Sequence, residues 1–97
     1  MSRWLVERRL SESAERLKRL RAELAVADEQ LAFLVEAADD TRLRALVSET
    51  PLADKEHREN QKHADAMARH REDLLTQVRE LERAQDELLD RLVTERT

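Results

Sequence analysis

At every step of three or four positions from Val6 to Ala38 but one, an aliphatic residue returns, and that spacing leaves a chain like this few ways to fold. With heptad position a at Leu10, Leu17, Leu24, Leu31 and Ala38, position d falls at Val6, Ser13, Leu20, Ala27 and Leu34, and Ser13 is the only polar residue of the set. A 3.5-residue period gathers these side chains into one stripe on a helix, and that stripe needs a partner helix to cover it. A second stripe follows, with d at Met67, Leu74, Leu81 and Leu88 and a at Ala64, Arg71, Val78, Gln85 and Leu92. Arg71 and Gln85 interrupt it.

Thr50-Pro51 is the one clear break between the two stripes. Threonine suits an N-cap, and proline suits the first helical position, where its missing N–H costs nothing. Proline also disfavours helical geometry at the residue before it. Leu43, Leu46 and Val47 are apolar at helical spacing but out of phase with the first heptad. They are expected to form a short helix, or a kinked extension, over Thr41 to Ser48, with Asp39, Asp40 and Thr41 as its caps.

The two stripes fit one another head to tail. In an antiparallel pair each a residue faces a d residue, and the two residue numbers add to a constant. A constant of 98 sets Val6 against Leu92, Leu10 against Leu88, Leu17 against Leu81, Leu20 against Val78 and Leu24 against Leu74. It also sets Leu31 against Met67 and Leu34 against Ala64, Ser13 against Gln85, and the long Arg71 against small Ala27. The turn then centres on residue 49, two residues from Pro51. Arg9 falls near Arg91, an unfavourable pair, but exposed charge pairs are worth only about 0–1 kcal/mol, against roughly 1.5–3 kcal/mol for each aliphatic side chain buried. The expectation is an all-α fold: a single antiparallel coiled-coil helical hairpin over 1–97, with arm one about 3–38, a tip at 39–50 carrying a short helical segment, and arm two about 51–94.

Composition narrows the function. The chain has no glycine, so the tight turns of phosphate loops and oxyanion holes have no residue to build them. Ser2, Ser11, Ser13 and Ser48 have no histidine and acid arranged beside them in the sequence. No catalytic residue and no cofactor are therefore expected. Absence of cysteine excludes disulfides and thiolate metal sites. A net charge of −4 gives no general attraction to nucleic acid. Trp4–Val6 is too short an apolar run for a signal-peptide core or a membrane span, so a soluble, cytoplasmic chain is expected.

Four groups of residues bear on a site. The acidic residues Asp39, Asp40 and Asp54, with Glu49 and Glu56, cluster in sequence about the turn. An acidic tip on an antiparallel coiled coil resembles transcript-cleavage factors of the Gre type, through the architecture and the Asp39–Asp40 pair alone. That resemblance implies a regulator that inserts its tip into RNA polymerase and presents carboxylates to a catalytic metal ion. The globular domain that follows the coiled coil in those factors has no counterpart in this sequence. The plainer role for these carboxylates is capping.

Asp54 and His57 have the i, i+3 spacing of helical-bundle metal sites, but such sites need inward glutamates where this seam has leucine. His63 and His70 lie about 10.5 Å apart along a helix, too far for one ion, so no metal site is expected. The basic residues of 1–21, net +4, alternate with glutamates and balance the acidic segment 80–97, net −3; they read as a solvated face rather than a nucleic-acid site. Residues 22–40 hold six acidic side chains and no lysine or arginine.

Apolar residues left outside both stripes form the most informative group: Trp4, Leu5, Ala22, Val26, Phe33 and Val35 in arm one, Leu75 and Leu89 in arm two. Two helices offer no third layer to cover them. Trp4, Leu5, Val26, Phe33, Leu75 and Leu89 are the expected partner-binding residues, and the expected partner is a second copy, giving a homodimeric four-helix bundle, or another helical protein. The stretch LVSETPLADKEHRENQKHADAMARHRE, residues 46–72, resembles short coiled-coil proteins of high-GC Gram-positive bacteria, a resemblance that carries no activity with it.

Overall fold

The computed structural model describes residues 2–96, and every one of them except Ser2, Glu49 and Thr50 is α-helical. Helix α1 spans Arg3–Ser48 and helix α2 spans Pro51–Arg96. Each start is capped as its sequence dictates. Ser2 Oγ accepts a hydrogen bond from the Leu5 N–H at 3.2 Å, and Thr50 Oγ1 accepts one from the Ala53 N–H at 3.2 Å. Pro51 takes the first position of α2, and Asp54 sits in the first turn, where the helix dipole favours an anion.

Helix α1 ends at Glu49, whose φ of 52° is left-handed. Its N–H still donates to the Ala45 carbonyl at 3.1 Å, closing the last turn. Glycine is the usual residue at such a C-terminal position, and this chain has none.

The short helix expected over Thr41 to Ser48 is not a separate element, because α1 runs unbroken through it. Asp39, Asp40 and Thr41 therefore cap nothing. No proline or glycine lies between 39 and 48 to end the helix. The Thr41 hydroxyl donates back to the Ala37 and Ala38 carbonyls at 3.1 and 3.0 Å, and the side chain is buried at 7% exposure. Thr41 and half-buried Ala45 simply continue the heptad of Leu34 and Ala38. Leu43, Leu46 and Val47, which suggested a change of phase, point to water at 55%, 66% and 85% exposure. Apolar identity misled there; position along the heptad decided burial.

The helices make two packing units, one of Met1–Leu24 and Leu74–Thr97, the other of Ala25–Asp73. In the first, Val6, Leu17, Leu20, Leu74 and Val78 are buried. Leu10, Ser13, Leu24, Leu81, Gln85, Leu88 and Leu92 are half-buried on the same stripes. Arg21 and Glu82 form an ion pair across the helices at 3.6 Å.

In the second unit Ala27, Ala38, Thr41 and Ala64 are buried, with Leu31, Leu34 and Met67 half-buried. The stripe of α2 reaches further back than the sequence reading placed it, through half-buried Asn60, His57 and Ala53. Asn60 Nδ2 donates to the Ala37 carbonyl and to Thr41 Oγ1, each at 3.4 Å. Arg71 Nε donates to Asp28 Oδ1. Asp28 meets Arg71 while Ala37 and Thr41 meet Asn60, so within this unit the two helix segments run in opposite directions.

Two consequences can be measured by chemical denaturation. Replacing Glu49 by glycine relieves a left-handed conformation that a β-carbon disfavours, and raises stability by about 0.5–1 kcal/mol; a loss would contradict the turn described. Leu74→Ala, in the buried stripe, costs about 2–4 kcal/mol, whereas Leu46→Ala beside the turn stays within about 0.5 kcal/mol of the parent.

Candidate docking surfaces

The side chains available to a partner are those that the heptad leaves outside. In the second unit Val26 and Phe33 are 51% and 71% exposed, and their spacing of seven residues puts them on one stripe of α1. Phe33 borders an open apolar hollow of about 430 Å³ with Leu34, Met67 and the stems of Glu29 and Gln30. In the first unit Trp4 and Leu89 are exposed, while Leu5 and Leu75 are half-buried. Trp4 is partly engaged already: the Arg8 guanidinium lies 5.5 Å from its ring centroid, and Arg8 also pairs with Glu12 at 3.2 Å. Of the six expected docking residues, Val26 and Phe33 are thus the two exposed ones that share one stripe within one unit.

The first unit also holds a groove of about 620 Å³ between the helices. Arg9, Arg16 and Arg19 of α1 and Arg91 of α2 stand along it, with Glu12 and Glu87 as the only acids. Its floor is Ser13, Leu81, Ala84 and Leu88. Ser13 and Ala84 are the shortest side chains of its lining. Arg9 and Arg91 both line it.

Of the acidic residues about the turn, Asp40 shares a hollow of about 290 Å³ with Glu56 and Glu59 of α2 and with Arg44. Asp39 and Asp40 are exposed on α1, about 12 Å or more before its end at the helical rise. Asp54 is exposed in the first turn of α2. Residues 39–58 carry five acidic and four basic side chains, a net of −1. Around the turn itself stand Leu43, Leu46, Val47 and Leu52, all exposed. The apolar spacing of Leu43, Leu46 and Val47, which suggests a short helix or a kinked extension, belongs to an exposed surface instead.

Arg71, unexplained by the sequence, has a clear role. The Asp28 carboxylate accepts its hydrogen bond and, with its charge, holds the guanidinium above its ordinary pKa. Asp28 follows Ala27, the small residue the pairing rule set opposite Arg71. His57 has no such partner: its Nδ1 is buried without a hydrogen bond. Among the described residues no three His, Cys, Asp or Glu side chains converge as metal ligands. No described helix is long and apolar enough to cross a membrane.

Comparison with protein-family models, with curated proteins and with solved structures finds no match to this chain. The polar end of the seam offers its own test. A buried polar atom with no partner costs about 1–3 kcal/mol, so His57→Leu raises stability, by about 1 kcal/mol or more in urea denaturation. An unchanged or lowered stability would mean that Nδ1 is satisfied in solution.

Proposed function

We propose that this chain is a non-enzymatic helical interaction module, an antiparallel coiled-coil hairpin that docks a helical protein partner on apolar side chains left outside its seam. The hairpin reading is supported by the heptad rhythm of burial on both helices and by the opposed order of the contacts in the second unit. Docking rests on one observation: Val26 and Phe33, seven residues apart, are both open to water on a stretch of helix that is otherwise acidic. Large apolar side chains exposed in register are what a helix-on-helix interface needs, and monomers seldom leave them as a continuous stripe. The module is placed in the cytoplasm, in keeping with its composition.

Binding a large complex such as RNA polymerase through an acidic tip has less support. Asp39 and Asp40 stand about two turns before the end of α1, and the segment around the turn is nearly neutral. A tip contact, if made, would meet Leu46, Val47 and Leu52 before any carboxylate pair.

The test is a Val26→Asp, Phe33→Asp double variant. Both positions are exposed, so helicity by circular dichroism stays intact and stability changes by no more than about 1 kcal/mol. Binding, read as self-association by light scattering and as protein captured from a lysate, falls at least tenfold. Binding equal to that of the parent overturns the reading, and so does a parent that neither self-associates nor captures a protein.

A further inference from the structure

We propose that the arginine-lined groove of the first unit receives the acidic stretch 22–40 of a second copy of this chain, with the second copy's Phe33 set on the groove floor. The inference rests on the docking function above and names the partner. Four arginines and two glutamates give the groove a net charge of +2, over a floor that includes Leu81, Ala84 and Leu88. Arg16 and Arg19 make no ion pair among the described residues, so their charges remain available to an incoming anion. The groove volume, about 620 Å³, lies within the range of sites that take up side chains or small ligands.

Its occupant must then be acidic and apolar on the same stripe, and one segment of this chain meets that description. Residues 22–40 hold six acidic side chains and no basic one. They also expose Val26 and Phe33. The C-terminal segment 80–97 is acidic too, at net −3, but Arg83, Arg91 and Arg96 interrupt it. Helix α1 is therefore self-complementary in charge: its first part, 1–21, carries +4 and its next part, 22–40, carries −6. Laid antiparallel beside α1 of a second copy, the basic part of each helix meets the acidic part of the other, and a two-fold axis repeats the contact. Parallel alignment would set like charge against like along the whole length. Glu29 and Glu36, which flank Phe33 on successive turns, are the natural mates of Arg16 and Arg19. Because the attraction is between exposed charges, it is screened over about 10 Å in 0.1 M salt.

Light scattering on the intact chain at about 100 μM reads the outcome. The wild type is a dimer in about 0.05 M salt and dissociates at least tenfold more readily in about 0.5 M salt. Arg16→Glu with Arg19→Glu, and separately Glu29→Arg with Glu36→Arg, each give a monomer with unchanged helicity. An equimolar mixture of the two variants restores a dimer containing one chain of each, which a merely structural role of these residues would not produce. The proposal is overturned if the wild type is monomeric, if either variant dimerises as the wild type does, or if the mixture stays monomeric. It is likewise overturned if a single-stranded RNA oligonucleotide binds in an Arg16- and Arg19-dependent way to a monomeric wild type. Should a monomeric wild type still capture another protein through Phe33, the docking function stands and only the self-pairing fails; should Phe33-dependent binding be lost as well, both fall.

Discussion

A helix of 46 residues gains little in water from its own backbone hydrogen bonds, since helix propagation is barely favourable and exposed ion pairs add only tenths of a kcal/mol each. What holds α1 and α2 in place is the stripe of aliphatic side chains that each turns inward. Val6, Leu17 and Leu20 are buried in the same unit as Leu74 and Val78, and Ala27 and Ala38 in the same unit as Ala64. At roughly 1.5–3 kcal/mol for each large aliphatic group, this burial exceeds what the exposed ion pairs can contribute. Everything outside the stripe, including the surfaces offered to a partner, is oriented by it.

The second unit is built differently from the first. Its buried stripe is mostly alanine and threonine near the turn, and polar side chains take over the work of alignment. Asn60 reaches the Ala37 carbonyl and the Thr41 hydroxyl, and Arg71 reaches Asp28. Such contacts add little net stability but discriminate between registers, because sliding one helix by a turn would leave each polar group without its mate. Small residues let the helices approach, and directional bonds choose the alignment. Glu49 then reverses the chain in a left-handed conformation, with Thr50 and Pro51 starting the next helix at once.

Both helices were legible in the sequence, since leucine at heptad spacing, strong helix formers and a Thr-Pro break leave little choice. Every position assigned to the stripes, from Val6 to Ala38 and from Ala64 to Leu92, is buried or half-buried. The region near the turn was not legible. There the stripe is made of Thr41, Ala45, Ala53, His57 and Asn60, which carry no hydrophobic signal, while Leu43, Leu46 and Val47 carry a strong one and face water. The Asp28–Arg71 contact was hidden because the pairing rule matches seam positions, and Asp28 lies one residue beside the seam. The exposure of Val26 and Phe33 followed from the heptad, but the arginine groove did not, because its lining comes from residues of both helices, among them the short Ser13 and Ala84.

The proposed antiparallel pairing of the two helices within one molecule is tested by spin labels at positions 21 and 82, which the cysteine-free chain accepts without background. These residues form an ion pair at 3.6 Å in the first unit. Helix axes packed about 8–10 Å apart put the two labels within roughly 20 Å of each other, even when labelled protein is diluted into unlabelled. A continuous straight helix would separate them by roughly 90 Å, and that result, or a short distance that vanishes on dilution, would contradict the pairing.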